Sequence, residues 1–175
     1  MGASGKSVIH LLLKPTYSVS NYQFTGEFEC RLDAKGRLKL PTAIIKKMGG
    51  NENLKFTINR GFEKHLMLYP NDVWEQKSVE INQLNIYSTK QRQAIRYFYR
   101  GATELEVDAA ERINIPNSLL EYAGIDKDVI LFAYNNQIEV WSKDIYNSLL
   151  ESEPEHSEEI AEIIAQAIRP KDHDL

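Results

Sequence analysis

The sequence is poor in residues that build disulfide-bonded, metal-binding or membrane-spanning proteins. Its 175 residues include one cysteine, Cys30, which excludes a disulfide within the chain and a cysteine-based zinc cluster. The four histidines are far apart and show neither the HxxxH nor the HExxH spacing of metal sites. No apolar run approaches the roughly 18 residues that a membrane-spanning helix needs. We therefore expect a cytoplasmic protein with no cofactor, no metal and no membrane partner.

The charge is unevenly distributed along the chain. Residues 1–100 carry sixteen basic and eight acidic side chains, a net charge of +8. Residues 101–175 carry five basic and seventeen acidic side chains, a net charge of −12. Such an asymmetry indicates binding to a polyanion, or self-association between oppositely charged parts.

The chain contains an internal duplication with an offset of 75 residues. The segment GEFECRLDAKGRLKLPTAIIKKMG (26–49) aligns with GATELEVDAAERINIPNSLLEYAG (101–124), and apolar positions agree along most of its length. Internal repeats of this kind mark structural units. We divide the chain into an N-terminal extension (1–23), a first repeat (24–74), a helical linker (75–100), a second repeat (101–150) and an acidic C-terminal helix or tail (151–175).

Each repeat predicts the same order of secondary-structure elements. An alternating strand, a tight turn and a short strand precede a helix of about two turns, and a β-hairpin follows. The helices are expected to begin near Pro41 and Pro116, with Thr42 and Asn117 in the cap region. Further helices are predicted at 71–80, 83–100, 143–150 and 153–168.

Both repeats place an aspartate and an arginine on either side of the tight turn. Asp33 and Asp108 can accept hydrogen bonds from backbone amides of the turn. Arg37 and Arg112 can pair with the aspartate of their own repeat or with that of the other. In this structural interpretation the two pairs tie the halves of the molecule together.

The first turn also carries additional cations. Arg31, Lys35 and Lys39 lie near Arg37, and Gly36 is suited to a positive φ. Such a cluster commonly covers a solvated face, but on a β-ribbon it can also reach DNA phosphates and enter the major groove. In the second interpretation the lysines attract phosphates, and Arg37 is suited to a bidentate contact with guanine.

The segment FTGEFECRLDAKGRLKLP, the repeated D-x-x-x-R and the closing NNQIEVWSKDIY resemble the MraZ family of bacterial DNA-binding regulators, which is related to the AbrB and MazE type of swapped-hairpin transcription factors. The resemblance covers about residues 24–150. It implies an α+β, mainly β fold, a double-split β-barrel of two intertwined pseudo-repeats with flanking helices. It also implies ring-like homo-oligomers that bind double-stranded DNA in the nucleoid, at direct repeats upstream of the division and cell-wall gene cluster, including the regulator's own promoter.

The resemblance assigns DNA contacts to the cations around the first D-x-x-x-R loop, Lys35 and Arg37, and by position to Arg112 in the second loop. The second loop departs from the pattern because it reads DAAER. Ala110 replaces the lysine, and Glu111 replaces the glycine and adds a negative charge. These differences predict that the first loop contributes more to DNA binding than the second.

Two other classes of function were weighed against the residues. A net-positive first repeat could dock on the net-negative second repeat of another copy, which would give a self-assembling interaction module without nucleic acid. An enzyme would need a constellation such as Glu63, His65 and Asp72, but no glycine-rich loop, metal spacing or nucleophile accompanies these residues. We therefore expect neither an enzymatic activity nor a small-molecule substrate.

Two predicted helices outside the repeats are relevant to self-association. In the linker, Arg92, Arg96 and Arg100 recur every four residues and share one helix face. A solvated face is the simplest interpretation, and a contact with phosphates or with the acidic tail of another subunit is the alternative. The tail helix has an apolar face that is expected to pack on its own chain or on a neighbour. This face is formed by Ile160, Ile163, Ile164, Ala167 and Ile168.

Overall fold

The computed structural model describes residues 20–50, 52–152 and 157–168, so most of the predicted N-terminal extension and the end of the acidic tail lie outside the described residues. Eight strands and six helices occur in the described part, and the α+β class is confirmed. The strands are β1 (Phe24–Arg31), β2 (Arg37–Lys39), β3 (Lys55–Arg60), β4 (Leu66–Pro70), β5 (Thr103–Glu106), β6 (Arg112–Asn114), β7 (Asp128–Asn135) and β8 (Gln137–Ser142). The helices are α1 (Thr42–Lys47), α2 (Asn71–Ile81), α3 (Thr89–Phe98), α4 (Asn117–Ala123), α5 (Lys143–Ser152) and α6 (Ser157–Ile168).

The two repeats exchange strands. The larger sheet has six strands in the order β1-β7-β8-β4-β3-β5, all paired antiparallel. Strand β1 of the first repeat therefore pairs with β7 of the second, and β5 of the second pairs with β3 of the first. Strands β2 and β6 pair with each other in a separate two-stranded ribbon. Each strand thus has its counterpart from the other repeat in the equivalent position, as in a pseudo-twofold arrangement.

One apolar core is shared by the two repeats. It is lined by the inner faces of the six-stranded sheet and the ribbon and by helices α1 and α4. Leu38 of β2 and Ile113 of β6 lie directly opposite each other and are 0% and 1% exposed. Because strand residues alternate between two faces, the residues on either side of Leu38 and Ile113 point away from this core.

The two short helices begin one residue later than their prolines. Pro41 and Pro116 occupy the N-cap positions, and Thr42 and Asn117 are the first helical residues. Neither helix has a side-chain cap hydrogen bond, so the expectation that Thr42 and Asn117 serve the caps is wrong. Proline has no backbone N–H, and Pro41 and Pro116 adopt an extended ψ. Both properties suit the residue that precedes the first helical turn.

We predict that the two repeats unfold in one transition because their strands are exchanged. The chain has two tryptophans, Trp74 on α2 and Trp141 on β8, so Trp74→Phe and Trp141→Phe each leave one fluorescent reporter. Adding Leu38→Ala to either background should lower the free energy of unfolding by about 2–5 kcal/mol, by the same amount for both reporters. Unequal shifts in urea titrations would show that the repeats unfold independently.

Candidate nucleic-acid interface

The two D-x-x-x-R loops adopt the same hydrogen-bonded turn. In the first loop, Oδ1 of Asp33 accepts hydrogen bonds from the backbone amides of Lys35 and Arg37, both at 2.9 Å. Oδ2 of Asp33 accepts a third bond at 2.8 Å from Nε of Arg37. Asp108 accepts the same three bonds from the equivalent atoms of the second loop, including a 2.8 Å bond from Nε of Arg112. Each aspartate therefore fixes both the backbone of its turn and the direction of its arginine.

These bonds lower the pKa of both aspartates. The largest cause is the hydrogen bond from the backbone amide of Arg37 to Asp33, and from that of Arg112 to Asp108. A carboxyl with a lowered pKa in the folded chain stabilises the fold above its unfolded pKa of about 3.9. That contribution is lost as the pH falls through the lower, folded-state pKa.

The loops are also connected to each other. Nη1 of Arg112 lies 3.8 Å from Oδ2 of Asp33, so this guanidinium contacts the carboxylates of both repeats. The side chains involved are about one-third exposed, and ion pairs in such positions contribute little to stability individually. The contact places the second arginine beside the first loop, on one continuous surface.

The third position after each aspartate adopts a left-handed backbone conformation. Gly36 has a φ of 76°, and Glu111, at the equivalent position, has a φ of 62°. A residue with a side chain is strained in this region by about 1–2 kcal/mol. The hydrogen bonds of Asp108 and the surrounding strands therefore impose on Glu111 the turn that the glycine adopts freely.

We define the ribbon face as the outward-pointing residues of β2 and β6. In the strand register, Arg37 lies opposite Asn114 and Lys39 lies opposite Arg112. Three of these four side chains are cationic. Asn114 was not among the residues expected from the sequence, although the offset of 75 aligns it with Lys39 and strand alternation places it on the same face as Arg112.

The predicted DNA-binding cations differ in their surroundings. Lys35 and Lys39 are exposed, whereas the side chains of Arg37 and Arg112 are 28% and 31% exposed and are held by the aspartates. Arg31 lies outside the ribbon face, at the end of β1, with its Nε 3.7 Å from Oδ1 of Asp128 on the paired strand β7. The structure thus brings together two exposed lysines and two oriented arginines, and it gives Arg31 an acidic neighbour.

Of the residues considered for an enzyme, Glu63 and His65 line one cavity, and Asp72 is not among the residues that line it. Asp72 accepts a 2.9 Å hydrogen bond from the hydroxyl of Tyr22. His65 is buried and stacked on Trp141 with ring centroids 4.3 Å apart, and burial lowers the pKa of His65. Within the described ranges, no cluster of three or more His, Cys, Asp or Glu side chains could hold a metal ion, and no helix is long and apolar enough to cross a membrane.

Two repeats that exchange strands around a shared core, with paired turns at one ribbon, define a duplicated α+β protein with exchanged strands. The family model described as "MraZ protein, putative antitoxin-like" matches residues 23–96 and 98–167. This chain is 37% identical over 138 residues to the transcriptional regulator MraZ of Halothermothrix orenii, an alignment that covers 79% of this chain and 94% of the relative. It is also 37% identical over 138 residues to the transcriptional regulator MraZ of Christiangramia forsetii, covering 78% of this chain and 89% of the relative.

The chain therefore belongs to the MraZ family of regulators, and the resemblance found in its repeats is confirmed. The match also extends beyond residue 150, where the resemblance was expected to end. It includes most of the linker and nearly all of α6. The curated relatives carry the names of regulators and not of enzymes.

We predict that Glu111→Gly stabilises the protein by about 0.5–1 kcal/mol, because the relief of left-handed strain exceeds the extra backbone entropy of glycine. The matched change in the first loop, Gly36→Glu, should destabilise it by a similar amount. Both values follow from denaturant unfolding at neutral pH. A loss of stability in Glu111→Gly would contradict the strain at this position.

The lowered pKa of Asp108 predicts a specific acid sensitivity. Asp108→Asn should be less stable than the wild type at pH 7, and the difference should shrink as the pH falls below about 4 toward the lowered pKa of the folded carboxylate. Urea unfolding between pH 3 and 7 measures this dependence. Asp126→Asn removes an exposed carboxylate outside the two loops and serves as the control. Parallel pH profiles for the wild type and Asp108→Asn would refute the prediction.

Proposed function

We propose that this protein is a sequence-specific DNA-binding transcriptional regulator that acts in the cytoplasm at the nucleoid. Its curated relatives are named transcriptional regulators. The observation that carries the proposal is the ribbon face and the turn beside it. Lys39 on the face and Lys35 in the turn are exposed and flank arginines whose direction is fixed. We further propose that the six-stranded sheet and the ribbon are the two parts of a double-split β-barrel, which holds this face rigid.

The shape and charge of the ribbon support contact with the major groove. A two-stranded β-ribbon fits the width of this groove in B-DNA. Lys35 and Lys39 are exposed, so each can approach a phosphate without breaking a contact made within the protein. Phosphate contacts of this kind supply affinity and position the protein without reading the base sequence.

The arginines supply the sequence-dependent part of the proposed interaction. The Nε of Arg37 is bound to Asp33, which leaves the two Nη groups as the fork that can donate to O6 and N7 of guanine. Holding the side chain in one direction reduces the entropy lost on binding. Arg112 is oriented in the same way, but Glu111 beside it repels phosphate, so its contribution is smaller.

One copy of the ribbon presents a small contact surface, and its affinity for DNA is therefore low. We propose that a homo-oligomer, ring-like in form, engages several direct repeats at once, since linked binding events multiply affinity. The proposed target is a set of direct repeats upstream of the division and cell-wall gene cluster, including the regulator's own promoter. DNase footprinting of the protein on its own upstream region tests this target, and the absence of any protected repeat would overturn it.

We predict that Lys35→Ala and Lys39→Ala each weaken binding to the promoter duplex and reduce the slope of log K against log salt by about one unit. Fluorescence anisotropy at salt concentrations from about 50 to 300 mM measures both effects, because the affinity supplied by phosphate contacts changes strongly over such an interval. Lys64→Ala removes an exposed cation of the first hairpin loop and should leave the slope unchanged.

Arg37 is tested by its charge-conserving replacement. Arg37→Lys keeps the positive charge but loses the bidentate fork, so discrimination against a duplex with altered guanines should fall by about 1–3 kcal/mol. Non-specific binding should change much less. If Arg37→Ala binds the promoter with wild-type affinity at both low and moderate salt, the proposed interface is wrong.

A self-assembling interaction module without nucleic acid is the alternative function. The opposite charges of α3 and α6 favour this alternative, because they can bring two copies together without DNA. Salt-sensitive association, combined with the absence of any sequence-specific footprint, would favour this alternative over the regulator.

A further inference from the structure

Helix α6 presents an apolar face that the described residues leave exposed. Ile160, Ile163, Ile164 and Ile168 are 40%, 59%, 56% and 77% exposed. They recur at three- and four-residue spacing and therefore lie on one side of the helix. Four exposed isoleucines in one row form an apolar patch that is typical of a protein contact.

A groove of about 420 Å³ beside α3 has a complementary apolar character. Phe62 from the first hairpin loop is 82% exposed and stacks on Tyr97 of α3, with ring centroids 5.6 Å apart. Ile81 of α2 and Ala94 of α3 line the same groove. Its volume suits a few aliphatic side chains inserted from a helix, which is the helix-in-groove mode of recognition.

The two helices that carry these surfaces also have opposite net charges. Residues 89–100 contain four basic side chains and no acidic one, whereas residues 157–168 contain three acidic side chains and no basic one. Lys90 lies one turn before Ala94 on the groove side of α3, and Glu159 lies one turn before Ile163 on α6. Docking the apolar faces with Lys90 and Glu159 at the same end of the contact brings a cation and an anion together.

The positions of the two helices in the fold determine how copies would join. Helix α3 follows the hairpin of the first repeat, and α6 follows the hairpin of the second. A contact between them uses a different surface on each copy, so it is heterologous and each copy retains one unused surface of each kind. Such contacts propagate from copy to copy and either close into rings or extend into filaments.

We propose that the isoleucine face of α6 in one copy docks in the groove beside α3 of a second copy of this chain. Glu159 faces Lys90 across the edge of this contact. This docking specifies which surfaces form the self-association proposed above, and it therefore rests on that proposal. It leaves the ribbon face free for DNA.

Sedimentation velocity across a range of protein concentrations, without DNA, tests this docking. Ile163→Lys removes an apolar anchor and adds a cation near the cationic α3, so the dissociation constant of self-association should rise at least tenfold, on the order of the loss of one central anchor. Glu158→Lys introduces the same side chain on the opposite face of α6 and should change the constant by less than about threefold, as rim charges do.

Charge reversal tests the pairing of the two edges. Lys90→Glu and Glu159→Lys should each weaken association, and the combination should restore it toward the wild type, because the pair is recreated with exchanged signs. A double variant as weak as the sum of its two single changes would overturn the proposed orientation. The circular dichroism spectrum of each variant establishes that α6 is retained.

Three further outcomes would each overturn the docking, for different reasons. Wild-type protein that is monomeric at every concentration would overturn both the self-association and the docking. If the wild type associates and Ile163→Lys associates equally, only the docking fails. If Ile163→Lys lowers the unfolding temperature and both the variant and the wild type sediment as monomers, α6 packs on its own chain and the proposal is wrong.

Discussion

The exchange of β1 and β5 between the repeats is the constraint on which the rest of the structure depends. Because β1 runs along β7 and β5 along β3, neither repeat can complete its sheet or bury its core without the other. The chain that leaves these strands must return through β2 and β6, which meet as a ribbon. Two turns that are 75 residues apart in sequence therefore lie side by side on one surface.

The duplication separates what the fold needs from what the first loop adds. Both loops keep the aspartate, its three hydrogen bonds and the arginine, although two of the three residues between them differ. Glu111 tolerates a left-handed conformation that Gly36 adopts without strain. The fold therefore does not require Lys35, Gly36 or Lys39, and these residues were available for a separate task at the protein surface.

The charge asymmetry of the sequence can be located in the folded chain. The strand exchange pairs strands of the net-positive first repeat with strands of the net-negative second repeat within one body. An opposite charge is found in the second helix after each hairpin, where α3 is cationic and α6 is acidic. A molecule with two such helices is suited to head-to-tail contacts, and none of the ribbon residues lines the groove beside α3.

The sequence by itself determined the two repeats, the order of strands and helices within each, and the two turns with their aspartates and arginines. These features depend on periodicity and turn chemistry over a few neighbouring residues, which a sequence displays directly. Only the tertiary structure decided that β1 pairs with β7, that Arg31 faces Asp128, that Arg112 reaches Asp33 and that Asn114 completes the ribbon face. Pairing between distant strands is selected by which register buries the most apolar surface of the whole chain, and no local pattern encodes that choice.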